Sequence, residues 1–275
     1  MKSLKIKFIR FIITLLGMIF ILPAAMSAQG DVPQGDYPNK IENGLKEGPW
    51  KKVDSLGTCI YVGQFKAGKP YGVFTYFDTD ARKMSEINFL NGGPVAYGKM
   101  YGVTGKIQAE GKYINQQKDS LWTFFTEDGV LLSQEWYKNG KRNGKSVTYH
   151  PFSKQIAELK FYKDDLQDSI WVTYYSDGKK EGEGKYKMGK QEGRATWFFP
   201  DGKLNIVGNY LHDVKDGIWV YYTEDDGKYV EKGRETWKAG KLISGGVLIK
   251  TDEFKNRVDD PQDPNHNAGG EQGGQ

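Results

Sequence analysis

The chain has 275 residues, with 39 Lys+Arg against 35 Asp+Glu, 35 Gly, three His, one Cys and 14% aromatic residues. That composition is too apolar for a wholly disordered chain, and it excludes both a disulfide scaffold and a multi-thiolate zinc site. The formal charge of +4 belongs to Lys2, Lys5, Lys7 and Arg10, because residues 1–28 hold no acid and the remainder balances at 35 against 35; no basic surplus is left for nucleic acid.

Those four cations precede an apolar run from Phe11 to Leu22, broken by Thr14 and Gly17, and then Pro23, Ala24, Ala25, Ser27 and Ala28. A basic start, a short apolar stretch and a small-residue cleavage zone predict a secretory signal peptide over 1–28, cut after Ala28. The run is too short to span a bilayer, which needs about 20 apolar residues. No Cys lies near the cleavage zone to carry a lipoprotein anchor. The mature protein is therefore expected to be exported, periplasmic or secreted. Residues 29–39, with Pro33 and Pro38, read as a linker, and Cys59 in "TCIYVGQF" as a small strand residue without a disulfide partner.

From residue 40 to 250 the sequence repeats itself. An aromatic stands three residues before a turn position at Phe65, Phe89, Tyr113, Tyr137, Tyr162, Tyr186, Tyr210 and Trp237, in steps of 24, 24, 24, 25, 24, 24 and 27. A second register agrees with the first: positions 48, 72, 98, 120, 144, 169, 193 and 217 are Gly in six cases and Ser in two. Two residues after each comes Trp50, Phe74, Met100, Trp122, Ser146, Trp171, Ala195 or Trp219. Runs such as "DSLWTFF" and "DGIWVYY" are aromatic and β-branched, as strands prefer.

Asp128-Gly129, Asp177-Gly178, Asp201-Gly202 and Asp226-Gly227 follow each first strand, and such pairs predict tight type I′ hairpin turns. A second strand carries the repeat aromatic, and a turn such as Asn139-Gly140-Lys141 leads into the next unit. The expected fold is all-β: an elongated single-layer antiparallel β-meander of about eight 24-residue hairpins, with about 16 strands at roughly 4.8 Å each. The unit at about 98–119 is short, and the fifth carries Pro151 beside His150 where its turn opens. The tail, 251–275, has six acids, two bases and one aromatic, and its Gly, Gln, Asn and Asp predict disorder.

Side chains alternate across a strand, so Trp219 and Tyr221 face one way and Val220 and Tyr222 the other. Both faces carry aromatics, which a sheet with one wet face does not require. The aromatics either cement a thin sheet or offer a partner a surface. Trp50, Trp122, Trp171, Tyr175, Trp219 and Tyr221 form the candidate contact stripe on the second reading.

Chemistry is scarce. His150 and His212 fall in turns and His266 in the tail, and all three are expected to be solvent-exposed. No Gly-x-Ser-x-Gly elbow, phosphate loop or His-Glu-x-x-His pair occurs. Glu110, Glu135, Glu158 and Glu181 recur in the second strands, where pairing with nearby Lys is expected rather than acid–base work. No catalytic residue, metal ligand or cofactor is expected.

A 23–25-residue hairpin unit with Gly-x-Trp, a Tyr/Phe pair, Asp-Gly-Lys and Tyr-x-x-Gly resembles the MORN repeat (membrane occupation and recognition nexus), in the bacterial form of YwqK-type antitoxin-like proteins. "DGIWVYYTEDDGKYVEKGRETWKAGK" (216–241) and "DSLWTFFTEDGVLLSQEWYKNGK" (119–141) carry the likeness, which covers about 40–245. The resemblance implies a non-catalytic scaffold that binds proteins or touches lipid. An antitoxin of that kind would act in the cytoplasm, which the export signal opposes. Lipid contact needs a basic face, and residues 29–250 hold 33 bases against 29 acids. The expectation is an exported repeat scaffold that binds a protein of the cell envelope, with a glycan- or peptidoglycan-binding module as the alternative. Unpaired terminal strands offer edges for dimerisation.

Overall fold

A computed structural model describes residues 32–225 and 227–246. The signal peptide and the acidic tail lie outside the described residues. Among the described residues there is no helix, and the strands fall into two compact units, one ending at Lys179 and one beginning at Lys180. The repeat period of 24 to 27 residues does not mark that division.

The first unit runs β1 (Ile41–Glu42), β2 (Leu45–Lys46), β3 (Gly48–Val53), β4 (Cys59–Lys66), β5 (Lys69–Phe77), β6 (Lys83–Phe89) and β7 (Val95–Tyr101). It continues with β8 (Ile107–Ile114), β9 (Gln117–Phe125), β10 (Leu131–Lys138), β11 (Lys141–Tyr149), β12 (Ile156–Lys163), β13 (Leu166–Gln167) and β14 (Ser169–Tyr174). The second unit is β15 (Lys180–Lys187), β16 (Lys190–Phe198), β17 (Leu204–Leu211), β18 (Val214–Asp225), β19 (Lys228–Lys238) and β20 (Lys241–Gly246). From β3 to β12, and again from β15 to β20, each strand pairs antiparallel with its neighbour in sequence, while β12 pairs with both β13 and β14. The fold is an all-β, single-layer antiparallel meander of hairpin repeats.

The Asp-Gly turns differ from the sequence expectation. The closing turns are the type I′ turns: Ala67-Gly68, Asn115-Gln116, Asn139-Gly140, Asp164-Asp165, His212-Asp213 and Ala239-Gly240 all have positive φ at both central residues. At Asp128-Gly129, Asp177-Gly178 and Asp201-Gly202 only the glycine is left-handed. Gly129 has φ +80 and donates its N–H to the Thr126 carbonyl at 2.8 Å, and Gly202 does the same to Phe199. These are type I turns closed by a glycine bulge. The Asp before the glycine keeps negative φ, and in Asp177 and Asp201 its carboxylate accepts from the N–H two residues on. That hydrogen bond holds an aspartate in a type I turn without a left-handed backbone.

The Gly/Ser register marks a second backbone device. Gly48, Gly72, Ser120, Gly144, Ser169, Gly193 and Gly217 all have positive φ, two residues before the Trp position. Register shifts beside several of them identify β-bulges that turn the following aromatic onto one face. Gly98 is the exception. The short third unit slides the register by two residues, so that Gly98, not Met100, pairs with Ile87 and Gly111 and occupies the row of Phe74 and Trp122.

The segment read as a linker is docked. Val32 and Tyr37 pack against the buried cluster of Cys59, Val62 and Phe77. The Asn39 amide accepts from the Lys51 N–H at 2.8 Å and donates to the Lys51 carbonyl at 3.0 Å. Both main-chain groups belong to β3, the strand expected to offer a free edge, and at this position Asn39 occupies what an incoming strand would use.

Candidate interaction surface

The front face, which carries Trp122, is closed. In the first unit Trp122 sits opposite Gly111 and Glu135, and Phe74 opposite Ile87; in the second, Trp219 sits opposite Glu235. Each large ring lies flat over a glycine of the preceding strand. A Cβ on Gly63 would meet the Phe74 ring at 2.6 Å, and one on Gly111 or Gly208 would fall inside the indole of Trp122 or Trp219. The repeat aromatics stand edge-on against these rings: Phe65–Phe74 at 5.2 Å, Tyr113–Trp122 at 4.9 Å and Tyr210–Trp219 at 5.0 Å. Edge-to-face pairing at these distances is the favoured geometry of aromatic quadrupoles.

Cations of the chain itself cover the rings. Lys46 lies over Trp50 and Phe65; Lys118 over Trp122, Phe124 and Tyr137; Lys215 over Trp219, Tyr221 and Trp237, all within about 5.5 Å. Arg142 does the same for Tyr162 at 4.0 Å. Burial lowers the pKa of Lys46 and of Lys118, where nearby Glu135 partly offsets the shift. Glu235 accepts from the Tyr221 hydroxyl at 2.7 Å and the Trp237 indole at 2.8 Å, with Lys215 at 3.4 Å.

The nominated stripe is thus mostly interior. Trp122 is 0% exposed, Trp219 2%, Tyr221 6% and Trp171 8%. Trp50 is half-buried beneath Lys46, and Tyr175 lies just past β14, in the turn closed by its hydrogen bonds with Lys179 and Gly178. The indole N–H groups of Trp122 and Trp219 are satisfied internally, the first by the Lys112 carbonyl at 2.9 Å and the second by that of Asn209 at 3.1 Å.

The back face is different. The residue just before each Trp-row position points the other way, and in the first unit Val73, Tyr97 and Leu121 are 50%, 51% and 37% exposed. Trp136 pairs directly with Leu121 across β9 and β10 and is 46% exposed. Ile170 and, in the second unit, Ile218 continue the pattern, while Lys145 and Arg194 interrupt it. The sequence signal for this row is the residue preceding each Trp slot; the stronger Trp periodicity masks it, and Tyr97 enters the row only after the two-residue slip at Gly98.

The remaining polar groups serve structure. His150 is half-buried, and its Nε2–H donates to the Tyr174 carbonyl at 2.8 Å, so it is less exposed than expected. His212 is exposed beside Glu192. Glu158 pairs with Lys160, whereas Glu135 accepts from the Tyr137 hydroxyl at 2.6 Å rather than pairing with a lysine at close range. Among the described residues no group of His, Cys, Asp or Glu gathers as a metal site.

No family model matches the sequence, and no curated protein matches it either. Among solved structures, the chain is similar to S. aureus TarM in complex with Fondaparinux, alpha-GlcNAc-glycerol and UDP, at 12% identity and TM-score 0.28 over 44% of this chain and 21% of that one. It is also similar to TcdB2-TccC3-Cdc42, at 10% identity and TM-score 0.21 over 71% of this chain and 14% of that one. The Photorhabdus luminescens Tc holotoxin pore gives 11% identity and TM-score 0.20 over 73% and 14%. Likenesses this remote bear on no function.

Proposed function

We propose that the protein is an exported, non-enzymatic MORN-like repeat scaffold that binds a protein of the cell envelope. The observation that carries this reading is the asymmetry of the sheet. The front face is closed by its own glycines and lysines, while the back face presents Val73, Tyr97, Leu121 and Trp136 to solvent. Exposed apolar rows of this kind mark contact surfaces, and aromatic anchors dominate binding energy where they occur. Export rests on the basic and apolar start of the sequence, residues 1–28.

The test is a crosslinking pull-down from envelope extracts with the wild type and with Leu121→Ser/Trp136→Ser. Loss of a partner in the double variant supports the reading; unchanged capture sinks it. N-terminal sequencing of the mature protein tests export, with Gln29 as the expected first residue.

A second reading, a glycan-binding module, is favoured by the exposed rings of Tyr97 and Trp136, which offer flat apolar platforms. Co-sedimentation with purified sacculi separates the two.

A further inference from the structure

Four of the closing turns share an unexpected feature. Lysines sit directly opposite one another at Lys66/Lys69 and Lys138/Lys141 in the first unit, and at Lys187/Lys190 and Lys238/Lys241 in the second. Like charges in direct cross-strand register destabilise a hairpin, so folding alone gives no reason for them. All eight are exposed, and none of them has a carboxylate within ion-pairing distance among the described residues.

At one of these turns the chain also builds a cleft. Lys138, Lys141 and Lys163 line a concavity of about 640 Å³ together with Asn139, Asn143, Tyr162 and Asp164. Asp164 is the one carboxylate on the lining, and it already accepts from the Asn143 amide at 3.2 Å. The neighbouring carboxylates are also engaged: Asp165 takes the Arg142 N–H at 2.8 Å and stands 3.7 Å from its guanidinium, and Asp119 faces the Asn139 N–H. Three lysines therefore line the cleft with one occupied acid.

We infer that this cleft, between the turns at Asn139-Gly140 and Asp164-Asp165, binds an anionic group of a linear polyanion, a soluble polymer bearing phosphate or sulfate along its length. Lysines supply point charges suited to tetrahedral anions, and the Asn139 amide supplies a further donor. The ligand is a linear chain because the same edge continues in donors: Asn115 and Gln116 stand at the next turn, and Lys66 and Lys69 stand six strands away, about 29 Å at 4.8 Å per strand.

The probe is fluorescently labelled short-chain inorganic polyphosphate, titrated into the full chain across a salt series. The site variant is Lys138→Gln/Lys141→Gln/Lys163→Gln. The matched variant, Lys52→Gln/Lys99→Gln/Lys145→Gln, removes as many exposed charges from the sheet faces. The expected result is salt-dependent binding that the site variant weakens about tenfold or more while lowering the salt slope by about two, with the matched variant within about twofold of wild type. Equal losses in both variants would make the effect mere net charge and overturn the site. So would an absence of polyphosphate binding at low salt, or binding to phosphatidylserine vesicles without binding to the polymer. Unchanged melting temperatures in both variants confirm that folding is not what is being read.

Discussion

Trp219 lies flat on Gly208, its indole filling the space a Cβ would take, and its N–H donates to the Asn209 carbonyl at 3.1 Å. Trp122 on Gly111, with its N–H to Lys112, repeats the pair in the first unit. The sheet has no second layer, so a ring laid against bare backbone is how a single layer acquires an interior. The glycine is required at the close approach, and its neighbours on the strand cannot supply the space.

Gly208→Ala and Gly111→Ala should therefore act as overpacking mutations, each destabilising by about 1–3 kcal/mol. Denaturant midpoints check this, with Gly246→Ala as the control because its Cβ would meet nothing within 4 Å. The control should shift little. Equal midpoints for Gly208→Ala and wild type would mean that the ring can lift without cost, and the account of the core would fail.

Ser120 and Ser169 hold φ of 60 and 71 at a position where other units use glycine. Left-handed backbone costs a non-glycine residue about 1–2 kcal/mol, partly offset by the greater freedom glycine has when unfolded. Ser120→Gly and Ser169→Gly should each stabilise the first unit by about 0.5–1 kcal/mol. Thermal melts of the single and double variants test it, and destabilisation by either would show that its hydroxyl contact with Asp119 or Asp168 outweighs the backbone term.

The hairpin repeat was legible because 24-residue spacing of aromatics and of Gly/Ser is a pattern in one dimension, and a meander is nearly one-dimensional. Which turn takes which type was not. Asp-Gly satisfies both a type I′ turn and a type I turn with a glycine bulge, and the choice lies in whether the Asp side chain caps the turn, as Asp177 and Asp201 do. The stripe of Trp122, Trp171 and Trp219 followed from alternation along each strand. Its burial was hidden because the covering groups, Gly111, Gly208, Lys118 and Lys215, come from other strands or from beyond a bulge. The slip at Gly98 was invisible for a related reason: Gly98 still matched the Gly register while the backbone used it in the Trp row.

Glu235 gives the second unit an acid-sensitive joint. Burial alone would raise its pKa, but hydrogen bonds from Tyr221 and Trp237 and the charge of Lys215 outweigh that and hold it below the ordinary carboxylate value. A depressed folded pKa means the unfolded chain takes up the proton first. The associated stability is present above the unfolded value and is lost as pH falls through the folded one. Glu235→Gln should be less stable than wild type at pH 7, and the gap should narrow progressively below about pH 4.3. Urea midpoints across that range provide the measurement, and a gap that stays constant with pH would refute the role of charge.

The two tryptophans on either side of one cross-strand pair should behave oppositely. Trp122 is fully buried over Gly111, while Trp136, opposite Leu121, is 46% exposed on the back face. Truncating a buried Trp removes its transfer energy and leaves a void, so Trp122→Ala should cost about 3–5 kcal/mol and lose any binding through unfolding. Trp136→Ser should cost much less, about 1 kcal/mol, because nearly half of the residue already faces solvent. Partner capture then separates keel from contact surface. A well-folded Trp136→Ser protein that no longer captures its partner places recognition on the back face. A well-folded Trp136→Ser/Leu121→Ser protein with full capture would remove the back face from the account and leave the sheet without an aromatic route to its partner.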